Sequence, residues 1–395
     1  MTKIKNDFYW EGILDSNLRV FDIVMSTPFG TTYNSYILKT NSGLVLFETV
    51  KDIYCGQWLE NLQKNILIKD IKYLVVSHTE PDHSGSIEKL LELNPHITII
   101  CSATASNFLD EIINNKGFNR HTIVDGEEFN IGNKTLRFYL TPNLHWPDTM
   151  FTYVVEDKIL VTCDCFGCHY STEQTMLSGI QDRKDYLISR KNYFEDILSP
   201  FKPFVIQTLD KIKDLEINCI ATGHGPIIDN NIEELFSSYY SWCRTENRLN
   251  KAVLIAYVSA YGYTKTLAKE IENVLKQNNI VVWSYDLVSS NINEVVGKLK
   301  EVDAVLFGTP TILSDALKPI YDLINYLNPI VHKNLKVSSF GSYGWSGEAT
   351  GNIVSKIEKI GLKTMTPFKI RFKPNEDKLF QLYDYVENFI RFLNL

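Results

Sequence analysis

No apolar stretch in the 395 residues approaches the ~20 positions that a membrane helix requires, so no membrane association is expected. An excess of positive charge is missing too. The formal net charge is −7, and without a basic surface there is no counterion release to drive nucleic-acid binding. The seven cysteines are odd in number and scattered, which excludes a secreted disulfide framework. Cys163, Cys165 and Cys168 cluster, but no second pair at C-x-x-C spacing completes a zinc ribbon or a four-thiolate iron centre; they read as small buried residues. The opening Met-Thr-Lys-Ile-Lys-Asn-Asp has no apolar core of a secretory signal, and it is neither Arg-rich nor acid-poor as a transit peptide is. Cytoplasm is therefore the expected compartment. Internal repeats and low-complexity segments are absent as well, and at 44% hydrophobic the chain has a globular composition, long enough for two domains.

What is present is a run of metal-binding side chains. Ser77-His78-Thr79-Glu80-Pro81-Asp82-His83-Ser84-Gly85 follows the apolar run Tyr73 to Val76 and holds two imidazoles and two carboxylates. Imidazole nitrogen and carboxylate oxygen are the usual ligands of zinc, iron and manganese, and crowding them is otherwise costly. A polar turn capping a helix from Ser84 would explain Asp82 and Ser84 but leave His78, Glu80 and His83 idle. Three more apolar strands end in such groups: His145 in Thr141 to Asp148, Asp164 after Ile159 to Cys163, and His224 between two glycines after Cys219 to Thr222. Singly, each reads as an ordinary loop or cap residue. Together they suggest one site, drawn from strands packed as a sandwich with helices outside. His169, five residues past Asp164, is either a hydrogen-bond donor behind the ligands or merely solvated. Tyr193 is a weaker candidate of the same kind. His96, His121 and His332 lie apart.

The strand-end pattern resembles the metallo-β-lactamase superfamily, whose hydrolases usually read H-x-H-x-D-H. Glu80 stands here where the second histidine would be. Four histidines with three carboxylates make a harder, more anionic site, which suits redox-active iron.

A fresh buried strand opens at Lys251, placing the domain boundary near Asn250: 1–249, then 250–395. Strands and helices alternate from there to the end, the pattern of a doubly wound, five-stranded parallel sheet. Three loops lie beyond the carboxyl ends of its strands: Ser259-Ala260-Tyr261-Gly262-Tyr263-Thr264, Thr309-Pro310-Thr311, and Ser342-Tyr343-Gly344-Trp345-Ser346-Gly347. The first meets a helix N-terminus, which suits phosphate, although it is neither G-x-G-x-x-G nor a Walker A loop. Trp345, flanked by glycines, suits stacking on a flat ring. This half resembles flavodoxin, whose corresponding loops hold FMN. Tyr263 and Leu313 depart from that pattern, at positions where a small polar donor and an asparagine are more usual.

The two halves in this order resemble the flavodiiron (A-type flavoprotein) family over essentially the whole chain. The resemblance implies an N-terminal metallo-β-lactamase-like αβ/βα sandwich with a non-haem diiron centre, then a flavodoxin-like domain with FMN. It assigns His78, Glu80 and His145 to one iron, Asp82, His83 and His224 to the other, and Asp164 as the bridge. It further implies reduction of dioxygen to water or of nitric oxide to nitrous oxide, and a head-to-tail homodimer or a dimer of dimers. With no rubredoxin or flavin-reductase module before Leu395, electrons are expected from a separate donor, rubredoxin or a reduced deazaflavin. Two other functions stay open at this point: a dinuclear metal hydrolase with an appended flavodoxin-like domain, and an electron-transfer flavoprotein on a metal-free scaffold.

Overall fold

The computed structural model describes residues 1–22, 25–115, 117–244, 250–299, 301–329 and 332–394. It divides into two compact units, Met1–Thr245 and Glu246–Leu395. The expected boundary at 249/250 abuts positions 245–249, which lie outside the described residues, as does Leu395.

The first unit is built on two facing sheets. Seven strands run in the order Thr2–Lys5, Phe8–Trp10, Tyr36–Thr40, Gly43–Phe47, Ile71–Val76, Thr98–Cys101 and Asn119–Thr122. Five form the second: Glu128–Ile131, Lys134–Leu140, Met150–Val154, Ile159–Cys163 and Cys219–Thr222. Strand residues alternate sides, so one face of each sheet meets the other: Phe8, Tyr36, Phe47 and Val75 pack with Phe138, Val154, Val161 and Ala221 in one apolar layer. The opposite face of the first sheet is covered through Trp58, Leu62, Leu90 and Leu109 of its helices. Tyr186, Phe194, Leu209 and Tyr239 cover the second sheet in the same way. The hairpin expected at Asn41-Ser-Gly is present, with Tyr36 opposite Phe47 and Thr40 opposite Gly43.

The second unit is a parallel sheet in which Ala252–Tyr257 lies between Val281–Asp286 and Ala304–Gly308, followed by Lys336–Tyr343. The fifth position is shared by two short strands, Lys363–Thr364 and Phe368–Arg371, which pair in succession with Lys336–Tyr343. This 2-1-3-4-5 order is the flavodoxin-like winding, with ligands bound beyond the carboxyl ends of the strands.

One local expectation shifts. The helix expected from Ser84 begins earlier, as a single turn Pro81–Ser84, and resumes at Ile87–Leu93. Proline suits a first helical position because its φ is preset and its missing N–H would have no partner there. No helix among the described residues is long and apolar enough to cross a membrane.

Candidate metal centre and flavin pocket

The early helical turn explains how one loop can serve two groups of side chains. Glu80 is still extended (φ −55°, ψ 140°), so its side chain falls on the same side as His78, two residues back. Asp82 and His83 are already helical and point elsewhere. His78, Glu80, His145 and Asp164 can each bring one ligand atom within 4.8 Å of the others, and so can Asp82, His83 and His224.

Asp164 joins the two groups. Its Oδ2 lies 3.5 Å from His78 Nε2 and 3.6 Å from His145 Nε2, while its Oδ1 lies 3.1 Å from His83 Nε2 and 3.4 Å from His224 Nε2. Glu80 Oε2 closes the first group at 3.1 Å from His78 and 2.9 Å from His145. Asp82 Oδ2 closes the second at 3.0 Å from His224 and 3.4 Å from His83. Donors about 2.0–2.2 Å from a common ion stand roughly 3 to 3.5 Å from one another, so these spacings suit one ion in each group.

The backbone behind these residues is shaped to deliver them. Cys163 adopts a left-handed φ of 49°, and the ladder to Cys219–Thr222 slips between Val161 and Cys163, turning Asp164 off the sheet edge. The glycines around His224 are required by close approach. A Cβ on Gly223 would lie 2.7 Å from His83 Cε1, and Gly225, at φ +79°, would bring one to 2.6 Å from Cys168 Sγ.

A second layer holds the imidazoles in orientation. Asp148, fully buried, lies 3.1 Å from His78 Nδ1 and accepts from the Thr79 amide and hydroxyl at 2.8 and 2.7 Å. Thr32 O lies 2.5 Å from His224 Nδ1. In both rings this leaves Nε2 facing the cluster, as is usual for metal-bound histidine. Tyr193 donates to Asp164 Oδ1 at 2.9 Å. His169 is buried rather than solvated, with Nδ1 2.9 Å from Thr31 Oγ1 and its ring stacked on Phe21 at 4.4 Å.

Electrostatics tell the same story. Burial opposes charging His78, yet hydrogen bonds to Asp148 and Glu80 and the nearby Asp164 push it up to about 10. His83 is also buried, and Asp82 and Asp164 raise it well above the usual imidazole range. Burial would raise the carboxyls of Asp164 and Glu80, but the surrounding imidazoles hold both well below the usual carboxylate range. His169 is held well below the usual range by burial and by His224 beside it, and so stays neutral. Asp82 Oδ1, Asp164 Oδ2 and His83 Nδ1 are buried without hydrogen-bond partners. Stranded carboxylate oxygens are costly, and bound cations remove that cost, so the residues fit a pair of ions. A carboxylate-rich, thiolate-free donor set favours iron or manganese over a structural zinc site.

In the second unit, a cavity of about 350 Å³ is lined by Tyr261, Tyr263, Pro310, Thr311, Ser342, Tyr343, Gly344, Trp345 and Ser346. Ser259, Ala260, Gly262, Thr264, Thr309 and Gly347 lie on the same three loops without lining it. Gly262, at φ +82°, caps the helix Tyr263–Gln277, and Thr264 is buried 3.4 Å from Ser342. Gly341 admits no side chain, since a Cβ would fall 1.9 Å from Thr309 O. Trp345 and Tyr261 stand 94% and 85% exposed at the rim. Large rings held in water beside a cavity suit stacking on a planar ligand, and hydroxyls at a helix N-terminus suit its phosphate.

Sequence reasoning passed over several of these neighbours. Asp148 had a signal, an acid three residues after His145; Thr31, Thr32 and Phe21 had none, since more than 190 residues separate Thr31 and Thr32 from His224. Phe372 and Ser314, which also line the cavity, had none either. His96 is exposed, His121 lies 2.6 Å from Glu127, and His332 is buried in the second unit; none joins the cluster.

Comparison with known proteins agrees with this division. The sequence matches a family described as ODP family beta lactamase over residues 31–225 and the flavodoxin family over residues 255–384. It is 37% identical over 395 aligned residues to flavo-diiron protein FprA2 of Clostridium acetobutylicum, covering 98% of each chain. It is 29% identical to the anaerobic nitric oxide reductase flavorubredoxin of Escherichia coli, covering 95% of this chain and 79% of that one. The solved structure of rubredoxin oxygen:oxidoreductase from Desulfovibrio gigas matches with a TM-score of 0.74 at 26% identity, covering 100% of this chain and 98% of that one.

Proposed function

Because the chain belongs to the flavodiiron protein family, a family of diiron oxidoreductases with a flavodoxin domain, we propose how its own residues divide that work. His78, Glu80 and His145 hold one iron, Asp82, His83 and His224 hold the other, and Asp164 bridges them. The observation that carries this is the placement of Asp164, with a different oxygen facing each group. The loop Ser259 to Thr264 would hold the phosphate of FMN, and Trp345 with the 342–347 loop, at the cavity of the second unit, would meet its ring.

When bound, the irons supply electrons to a diatomic gas and FMN converts between one- and two-electron carriers. The protein's share is positioning and proton control. Asp148 and the Thr32 carbonyl fix the rings of His78 and His224 so that Nε2 of each faces the cluster. Tyr193 offers its hydroxyl proton at Asp164 Oδ1. His169, kept neutral beside Tyr193, presents a buried Nε2 without a partner. Dioxygen and nitric oxide are the substrates we assign, following the activities that the relatives' names carry. The electrons come from an external donor, rubredoxin or a reduced deazaflavin. The working unit we propose is a head-to-tail homodimer, or a dimer of dimers, in a cytoplasmic setting.

Metal and flavin analysis of the purified protein tests the assignment. Two irons and one FMN per chain are expected, and zinc in a colourless protein would instead indicate a dinuclear hydrolase. Anaerobic nitric oxide consumption measured against dioxygen consumption, with one reduced donor, fixes the preferred gas.

A further inference from the structure

A two-stranded ribbon beside the metal cluster enters the account above only through the Thr32 carbonyl and the Thr31 hydroxyl beside His169. Ile13–Asp15 pairs antiparallel with Thr31–Tyr33, and the carbonyl of Thr32 holds His224. The residues on either side of that carbonyl's strand face different neighbours. The Tyr33 ring, 1% exposed, meets the His224 ring edge-on at 5.8 Å and the Tyr54 ring at 5.4 Å. Tyr54, at the end of the turn Asp52–Tyr54, donates its phenol to Asp15 Oδ2 at 2.5 Å. A continuous ladder thus runs from His224 through two phenol rings to a half-buried carboxylate.

Among the described residues, Tyr193 repeats part of this combination, its ring 6.2 Å from that of His224. Its phenol, however, points at Asp164, which already serves as the bridge. Tyr239 has a buried hydroxyl with no hydrogen-bond partner, so a proton leaving it has nowhere to go. A neutral phenol loses an electron readily only when its proton leaves with it. Tyr54 has both an electron path inward and a proton acceptor outward.

We propose that Tyr54, with Asp15 as its proton acceptor, is a redox-active tyrosine that returns an electron through Tyr33 to the metal site when that site meets an oxidant while short of electrons. This rests on the diiron reading. The oxidant is hydrogen peroxide, the two-electron-reduced form of dioxygen, which takes two electrons and two protons to become two waters. When the metal pair carries only one electron, Tyr54 supplies the second. Its O–H bond breaks, the electron passes by way of Tyr33 and His224, the proton moves to Asp15, and a neutral phenoxyl radical remains. The two protons consumed by peroxide come from solvent. A soluble thiol then restores Tyr54 by giving one hydrogen atom and becoming a thiyl radical, and Asp15 releases its proton to solvent. The device protects the cluster's own ligands, which would otherwise be the nearest groups to be oxidised.

The test uses the full-length, iron- and FMN-loaded protein, reduced by one electron per metal pair, mixed with hydrogen peroxide and frozen for electron paramagnetic resonance. A tyrosyl signal is expected, narrowed when the protein is made with ring-deuterated tyrosine, lost in Tyr54→Phe and diminished in Asp15→Asn. Iron and FMN content equal to the parent protein shows that each variant is folded, and a purely structural hydrogen bond would not alter a radical spectrum. A signal unchanged in Tyr54→Phe, or no tyrosyl signal from a protein whose Mössbauer spectrum shows the coupled iron pair, overturns the relay alone. Absence of the coupled pair sinks the diiron reading and the relay with it.

Discussion

Asp164 is the residue on which the two halves of the cluster depend, because each of its oxygens faces a different set of imidazoles. Asp164→Ala is expected to abolish gas reduction and reduce bound iron while FMN absorbance persists; unchanged turnover would refute the bridging role. Asp148 acts one step removed, by fixing the ring of His78. Its replacement by Ala should weaken iron binding by on the order of 10- to 100-fold, measured by competition with a chelator, while the ligands themselves stay in place. Gly223 offers a finer test. A methyl there would meet His83 Cε1 at 2.7 Å, so Gly223→Ala should displace that ring and lower occupancy of the Asp82–His83–His224 side first, seen as less than two irons per chain.

Elements explain which of these features the sequence displayed. The strands that carry ligands are apolar runs ending in a histidine or aspartate, so their positions are readable, and so is the division between a sandwich and an alternating α/β half. Phe138 illustrates the principle: it alternates inward on Lys134–Leu140 and lies fully buried between the sheets. Phe138→Ala should cost about 3–5 kcal/mol, read as a lowered unfolding transition of the first unit. What the sequence hides is contact between distant segments. Nothing in Asp15, Thr32 or Tyr54 marks them as lying beside the cluster, because a three-pair ribbon sets Asp15 and Thr32 there and a hydrogen bond to Asp15 sets Tyr54. The turn at Pro81 was hidden for another reason. A proline reads as an interruption, whereas at a first helical position it starts the helix and so separates Glu80 from Asp82.

The whole molecule keeps its two cofactor sites in separate compact units, each with its own core. Ligands that bind only the folded state stabilise the unit that holds them. Calorimetry should therefore show that removing iron lowers one transition and removing FMN lowers the other, with little crossover. The unit losing iron has more to lose, since three carboxylates and four imidazoles are then left crowded without cations. The spread of those ligands over the first unit also bears on how the protein is born. His78 leaves the ribosome well before His224, and the Thr32 carbonyl that orients His224 waits throughout that interval. Domains made first generally fold first during synthesis. Iron captured by the growing chain would meet an incomplete set of donors until His224, just past the strand Cys219–Thr222, has emerged, so the full donor set exists only after that moment.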